Sequence, residues 1–76
     1  MRRAWAFRFR PARQEDDLPF CAKAECCEDE LDGERERIAM WLEERTGEVW
    51  ICDRIAPYGG GPMDRKFWEE AEERDH

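Results

Sequence analysis

Four cysteines, Cys21, Cys26, Cys27 and Cys52, are the side chains in this 76-residue sequence best suited to metal chemistry. Thiolates bind zinc, and structural zinc sites usually draw their ligands from paired C-x2-4-C knuckles. Here the spacing is Cys21-x4-Cys26-Cys27, with Cys52 standing 25 residues further on. An extended chain sets Cys21 and Cys26 on opposite faces and holds Cys21 and Cys27 about 20 Å apart. Zinc held by these four is therefore the alternative reading. The favoured one makes Cys26 and Cys52 small core hydrophobes and expects no cofactor.

Carboxylates are the second resource. They cluster at Glu15, Asp16 and Asp17, and again at Glu28, Asp29, Glu30, Asp32, Glu34 and Glu36. Acid-pair hydrolysis needs a sugar cleft that a chain this short hardly encloses. His76 is the sole histidine and stands at the end of the sequence, so no imidazole is expected in a cleft as a base. Gly59-Gly60-Gly61 lacks the Lys and Ser/Thr of a phosphate loop. The chain reads as a non-enzyme.

Charge is unevenly spread along the chain. Residues 1–13 hold five Arg and no acid, whereas residues 14–36 hold ten acids against two bases, within a net charge of −7. Such a band repels nucleic acid and attracts a basic protein surface. A basic sheet face built from Arg8, Arg10, Lys23 and Arg54 around Trp50 is the weaker, nucleic-acid-binding alternative. No apolar run reaches the roughly 18 residues of a membrane span, and no signal-peptide pattern is visible, so the expected compartment is the cytoplasm. Eleven Arg against two Lys suggests a bacterial or phage source.

These groups need elements to position them. In Trp5-Ala6-Phe7-Arg8-Phe9-Arg10, three aromatic rings fall on one face of a strand. A loop bracketed by Pro11 and Pro19 follows, then a second strand over 20–27 with Phe20, Ala22, Ala24 and Cys26 on one face. Asp29 or Asp32 caps a helix over about 33–45, ended by Gly47, whose Ile38, Trp41 and Leu42 cover the aromatic face. A third strand over 48–56 puts Val49, Ile51 and Ile55 on one face and Trp50, Cys52 and Arg54 on the other. Residues 57–62 form a Gly/Pro linker to a helix over 64–74, whose Phe67, Trp68 and Ala71 dock on the outer sheet face against Trp50.

The expectation is one small α+β domain over residues 1–76, ordered β-β-α-β-α, with a three-stranded antiparallel sheet in the order 2-1-3. In size, charge and lack of motifs the chain resembles small phage-encoded inhibitors of host defence nucleases, anti-CRISPR proteins among them. That resemblance implies binding to a basic, nucleic-acid-binding surface of a host protein or ribonucleoprotein complex. The clustered acids from Glu15 to Asp17 and from Glu28 to Glu36 would stand in for phosphates there. The expected state is a monomer or weak homodimer, with no direct nucleic-acid or membrane partner.

Overall fold

Large aromatic residues alternate with small or basic ones from Arg3 to Pro11, and this stretch forms strand β1. Trp5, Phe7 and Phe9 are buried on one face, while Ala6 is buried on the other. The computed structural model describes residues 2–13 and 19–71. Strand β2 (Phe20–Cys26) pairs antiparallel with β1, setting Phe9 against Phe20, Phe7 against Ala22 and Trp5 against Ala24. Strand β3 (Trp50–Pro57) pairs antiparallel along the other side of β1, so the order is β2-β1-β3. The fold is the expected α+β domain, with the aromatic strand in the middle.

Helix α1 (Leu31–Thr46) follows a 3-10 turn at Glu28–Glu30 and packs on the aromatic face. Neither Asp29 nor Asp32 caps it. The start is held by Cys27 and Glu30 instead: the Cys27 N–H donates to the Glu30 carboxylate at 3.0 Å, and the Glu30 N–H donates to the Cys27 carbonyl at 2.9 Å. The other end stops where expected, at Gly47, whose φ of 74° is the left-handed conformation that a glycine adopts without strain. Leu31 and Leu42 are buried in the core, with Ile38 and Ala39 packed against it. Trp41 departs from expectation. It is 45% exposed and lies at the β2 edge, its ring 6.0 Å from Phe20.

The main correction concerns β3. Its pairing slips by one residue between Arg8 and Phe9, because Asp53 is inserted as a bulge beside Arg54. The Asp53 carboxylate there accepts two hydrogen bonds from the Arg8 guanidinium, at 3.0 and 2.8 Å. A one-residue slip turns the rest of a strand over. Cys52 therefore sits opposite Phe9 and Trp50 opposite Pro11, on the α1 side rather than the outer face. Ile51, opposite Arg10, turns outward and is 46% exposed. Trp50 Nε1 donates to Thr46 Oγ1 at 2.8 Å, tying the end of α1 to β3.

Helix α2 (Arg65–Glu70) packs on the outer face, and residues 72–74 of the expected helix lie outside the described residues. Asp64 caps it at the first residue of the expected helix, accepting from the Phe67 N–H at 3.0 Å. Trp68 is buried against Ala6 and Ala56, in place of the expected contact with Trp50. Alanine on both strands leaves room for the indole.

These placements separate three aromatic residues by energy. Phe7→Ala and Trp68→Ala should each lower the unfolding free energy by ~3–5 kcal/mol, against less than about 1 kcal/mol for Trp41→Ala. Urea denaturation followed by circular dichroism measures all three. A Trp41→Ala loss equal to that of Trp68→Ala would overturn the assignment of faces.

Candidate functional site

Nine acids and three bases lie between Glu28 and Glu48. The 3-10 turn presents Glu28, Asp29 and Glu30 together, all exposed. Along α1, Asp32, Glu36 and Glu43 follow at i+4 and i+7 steps and are also exposed. That spacing puts them on one ridge of the helix, with Asp32 and Glu36 about 6 Å apart along the axis. The ridge lies on the β3 side of α1, as the Thr46–Trp50 bond shows, away from Trp41 and β2. Glu43 extends the expected acid set, and its signal in the sequence was the i+7 step from Glu36.

Two acids of the helix make local pairs, Glu34 off the ridge and Asp32 on it. Glu34 pairs with Arg37, and Asp32 pairs with Arg35 at 3.1 Å while its side chain stays 88% exposed. Hydrogen bonding from the Cys27 backbone N–H holds the Glu30 carboxyl below its usual pKa, with the Arg2 charge adding a smaller push. The Cys27 Sγ and one carboxylate oxygen each of Asp29 and Glu30 lie within 4.8 Å of one another. Glu15, Asp16 and Asp17 fall outside the described residues.

The opposite flank of α1 has another character. Arg45 stacks over Trp41 at 4.6 Å, and an open groove of about 330 Å³ runs between α1 and β2. Phe20, Ala22, Ala24, Ile38 and Trp41 form its apolar walls, and Lys23 and Arg37 supply its charges. The two small alanines that admit the large rings of β1 also leave this space open. The outer sheet face, by contrast, is occupied in part. Arg8 and Arg54 lie over the Trp68 ring at 5.7 and 5.5 Å, so α2 covers that half of the expected basic surface, whereas Arg10 and Lys23 are exposed.

The four cysteines do not converge. Cys21 packs with the Trp68 cluster on the outer face, Cys26 is in the α1-side core, Cys27 starts the 3-10 turn, and Cys52 is on β3. Among the described residues, the one group of metal-ligand atoms is Cys27, Asp29 and Glu30. The expected four-thiolate zinc alternative thus loses its geometry, because the strands hold the thiols on different faces and edges.

Comparison with protein-family models, with curated proteins and with solved structures finds no match to this chain.

Burial pushes the Cys52 thiol up to about 11, and burial likewise raises Cys26, helped by the nearby Glu34 and Glu30 charges. A thiol raised by folding keeps its proton in the native state after the unfolded chain has released it. Its stability contribution is intact below about pH 9 and is lost as pH climbs toward 11. Because the thiol is only partly buried, solvent screening keeps the loss below the limit of about 1.4 kcal/mol per pH unit within that window. Urea titrations at stepped pH should show the fall, and Cys52→Ala should flatten it. An unchanged slope in Cys52→Ala would remove the thiol as its cause.

Proposed function

We propose that this chain is a non-enzymatic interaction protein whose acidic α1 ridge docks on a basic, nucleic-acid-binding surface of a protein partner. The carboxylates take the place of backbone phosphates there and block access of the nucleic acid. One observation carries this reading: Asp32, Glu36 and Glu43 are exposed and aligned on a single flank of α1, with Asp29 exposed in the 3-10 turn that leads into it. Duplex DNA presents a charge every ~1.7 Å of axis counting both strands, so a basic groove meets closely spaced anions. A helix fixing carboxylates about 6 Å apart offers a preordered part of that pattern. Preordering reduces the entropy lost on binding.

Charge segregation within the molecule supports the same orientation. The five Arg of residues 1–13 belong to the β1 region, and Arg8 among them is held by Asp53. The acidic ridge occupies a different layer, so a basic partner is steered to the helix. The cationic outer face is a poorer candidate because α2 packs across it.

The test compares two variants of equal net charge. One reverses the ridge (Asp32→Lys, Glu36→Lys, Glu43→Lys), and the other reverses acids of the α2 segment (Asp64→Lys, Glu69→Lys, Glu70→Lys). The readout is displacement of a short labelled DNA duplex from poly-L-lysine, over a range of salt. Wild type and the α2 variant should displace the duplex, with potency falling as salt rises, while the ridge variant fails. Equal failure of both variants would reduce the effect to net charge. Displacement insensitive to salt would reject the mimicry.

A further inference from the structure

The edges of a three-stranded sheet are exposed unless something covers them, and β2 is one of them. Its polar groups can be assigned. The Tyr58 N–H bonds the Ala4 carbonyl at 3.0 Å, and the Ala12 N–H bonds the Val49 carbonyl at 2.9 Å. Even-numbered residues of β1 therefore turn their backbone groups toward β3, and odd-numbered ones toward β2. The bonded pairs with β2 are then Trp5–Ala24, Phe7–Ala22 and Phe9–Phe20. Cys21, Lys23 and Glu25 alternate with these partners and point their N–H and C=O groups away from β1. The Arg2 side chain bonds the Glu25 carbonyl at 2.8 Å, consistent with β1 leaving that oxygen unused. Among the described residues, no strand pairs with this edge.

We propose that two copies of this chain pair their β2 edges antiparallel about a two-fold axis at Ala24. Charge selects both the occupant and the register. Lys23 and Glu25 are the only charged residues of Phe20–Cys26, they are exposed, and they share the outer face. Every register centred on a residue of the strand keeps the α1-side faces of the two copies together and matches the open backbone groups. Centring on Cys21 sets Lys23 against Pro19, which has no N–H, and centring on Glu25 sets Glu25 against Glu25. Centring on Lys23 sets Lys23 against Lys23. Centring on Ala22 sets Lys23 against Cys21, and Glu25 against Pro19, which has no N–H. Centring on Ala24 sets Lys23 against the second copy's Glu25, twice, and lets each pair exchange two backbone bonds. The Glu25 carbonyl has two lone pairs, so Arg2 and an incoming N–H can share it. The strand contains neither proline nor bulge to prevent pairing.

The inner face agrees with this register. Ala24 meets Ala24 and Ala22 meets Cys26, all small enough for close approach. An antiparallel two-fold axis is perpendicular to the sheet, so both α1 helices lie on one side of a six-stranded sheet. The grooves beside β2, each walled by Phe20, Ile38 and Trp41, become neighbours across the axis. The acidic ridge is on the far flank of α1, so this pairing does not depend on the ridge and leaves it open.

Sedimentation equilibrium of the full chain up to millimolar concentration tests the proposal, with far-UV circular dichroism confirming that each variant is folded. Wild type should show a reversible monomer–dimer equilibrium. Lys23→Glu and Glu25→Lys each place like charges across both symmetric contacts, which should raise the dimer dissociation constant more than about tenfold. The double variant Lys23→Glu/Glu25→Lys should restore it, and mixing the two single variants should yield a heterodimer. A wild type monomeric at every concentration overturns the proposal. So does a dimer that both single variants leave intact, or a double variant that is not rescued.

Discussion

Ala6 and Phe7 are neighbours in the chain, face opposite sides of the sheet, and are both fully buried. That double burial is the constraint on which the architecture depends. A sheet of three strands is too narrow to shield a central strand by itself, so each face of β1 needs its own cover. On one side the large rings of Trp5, Phe7 and Phe9 need a long apolar surface, which α1 supplies through Leu31 and Leu42. On the other, Ala6 and Ala56 leave a shallow floor that a single indole, Trp68, fills. The short α2 follows from that difference, since one ring and its neighbours Phe67 and Met63 suffice to close the gap.

Arginine on the buried side of a sheet is costly unless paired, and Arg8 stands next to Ala6 in this setting. The bulge at Asp53 supplies its partner. By taking an extra residue into β3, the chain brings a carboxylate to the guanidinium and lets both Arg8 and Arg54 lie over Trp68. The same insertion turns Trp50 and Cys52 into the α1-side core, where Cys52 loses solvent and Trp50 anchors Thr46. One ion pair on the outer face thus decides which aromatic residue covers the inner one.

This is also where reading the sequence fell short. Period-2 alternation in β1, the pairing of small alanines opposite its rings, the stop at Gly47 and the cap at Asp64 all rest on local rules. Each was legible from residue type and spacing. The bulge was not: Arg54 and Ile55 keep the faces that alternation assigns, while the insertion at Asp53 turns over Trp50, Ile51 and Cys52 on its other side. Trp41 misled for a related reason. It falls at helical spacing with Ile38 and Leu42, but α1 leans toward β3 and leaves that flank at the sheet edge. Of the acids, those on residues 28–36 were legible as a cluster, whereas their division into a ridge and a set of local pairs required the helix.

The placement of charge follows from the same geometry. A helix packs on each face of the sheet, which leaves the flanks of α1, the sheet edges and the Arg10–Ile51 end of the outer face exposed. These surfaces differ in sign and texture: carboxylates on the β3 flank, and Trp41, Phe20, Arg37 and Arg45 on the β2 flank. A helix that faced the middle of the sheet would bury or crowd both flanks. Its lean toward β3 leaves the β2 edge with an apolar groove and open backbone groups, and sets the acids beyond the sheet on the other side. The off-centre seat of α1 in turn reflects Trp50, which the bulge at Asp53 turns beneath the helix and bonds to its last residue, Thr46. The two exposed flanks of α1 are therefore consequences of one inserted residue in β3, and removing that insertion would rearrange both at once.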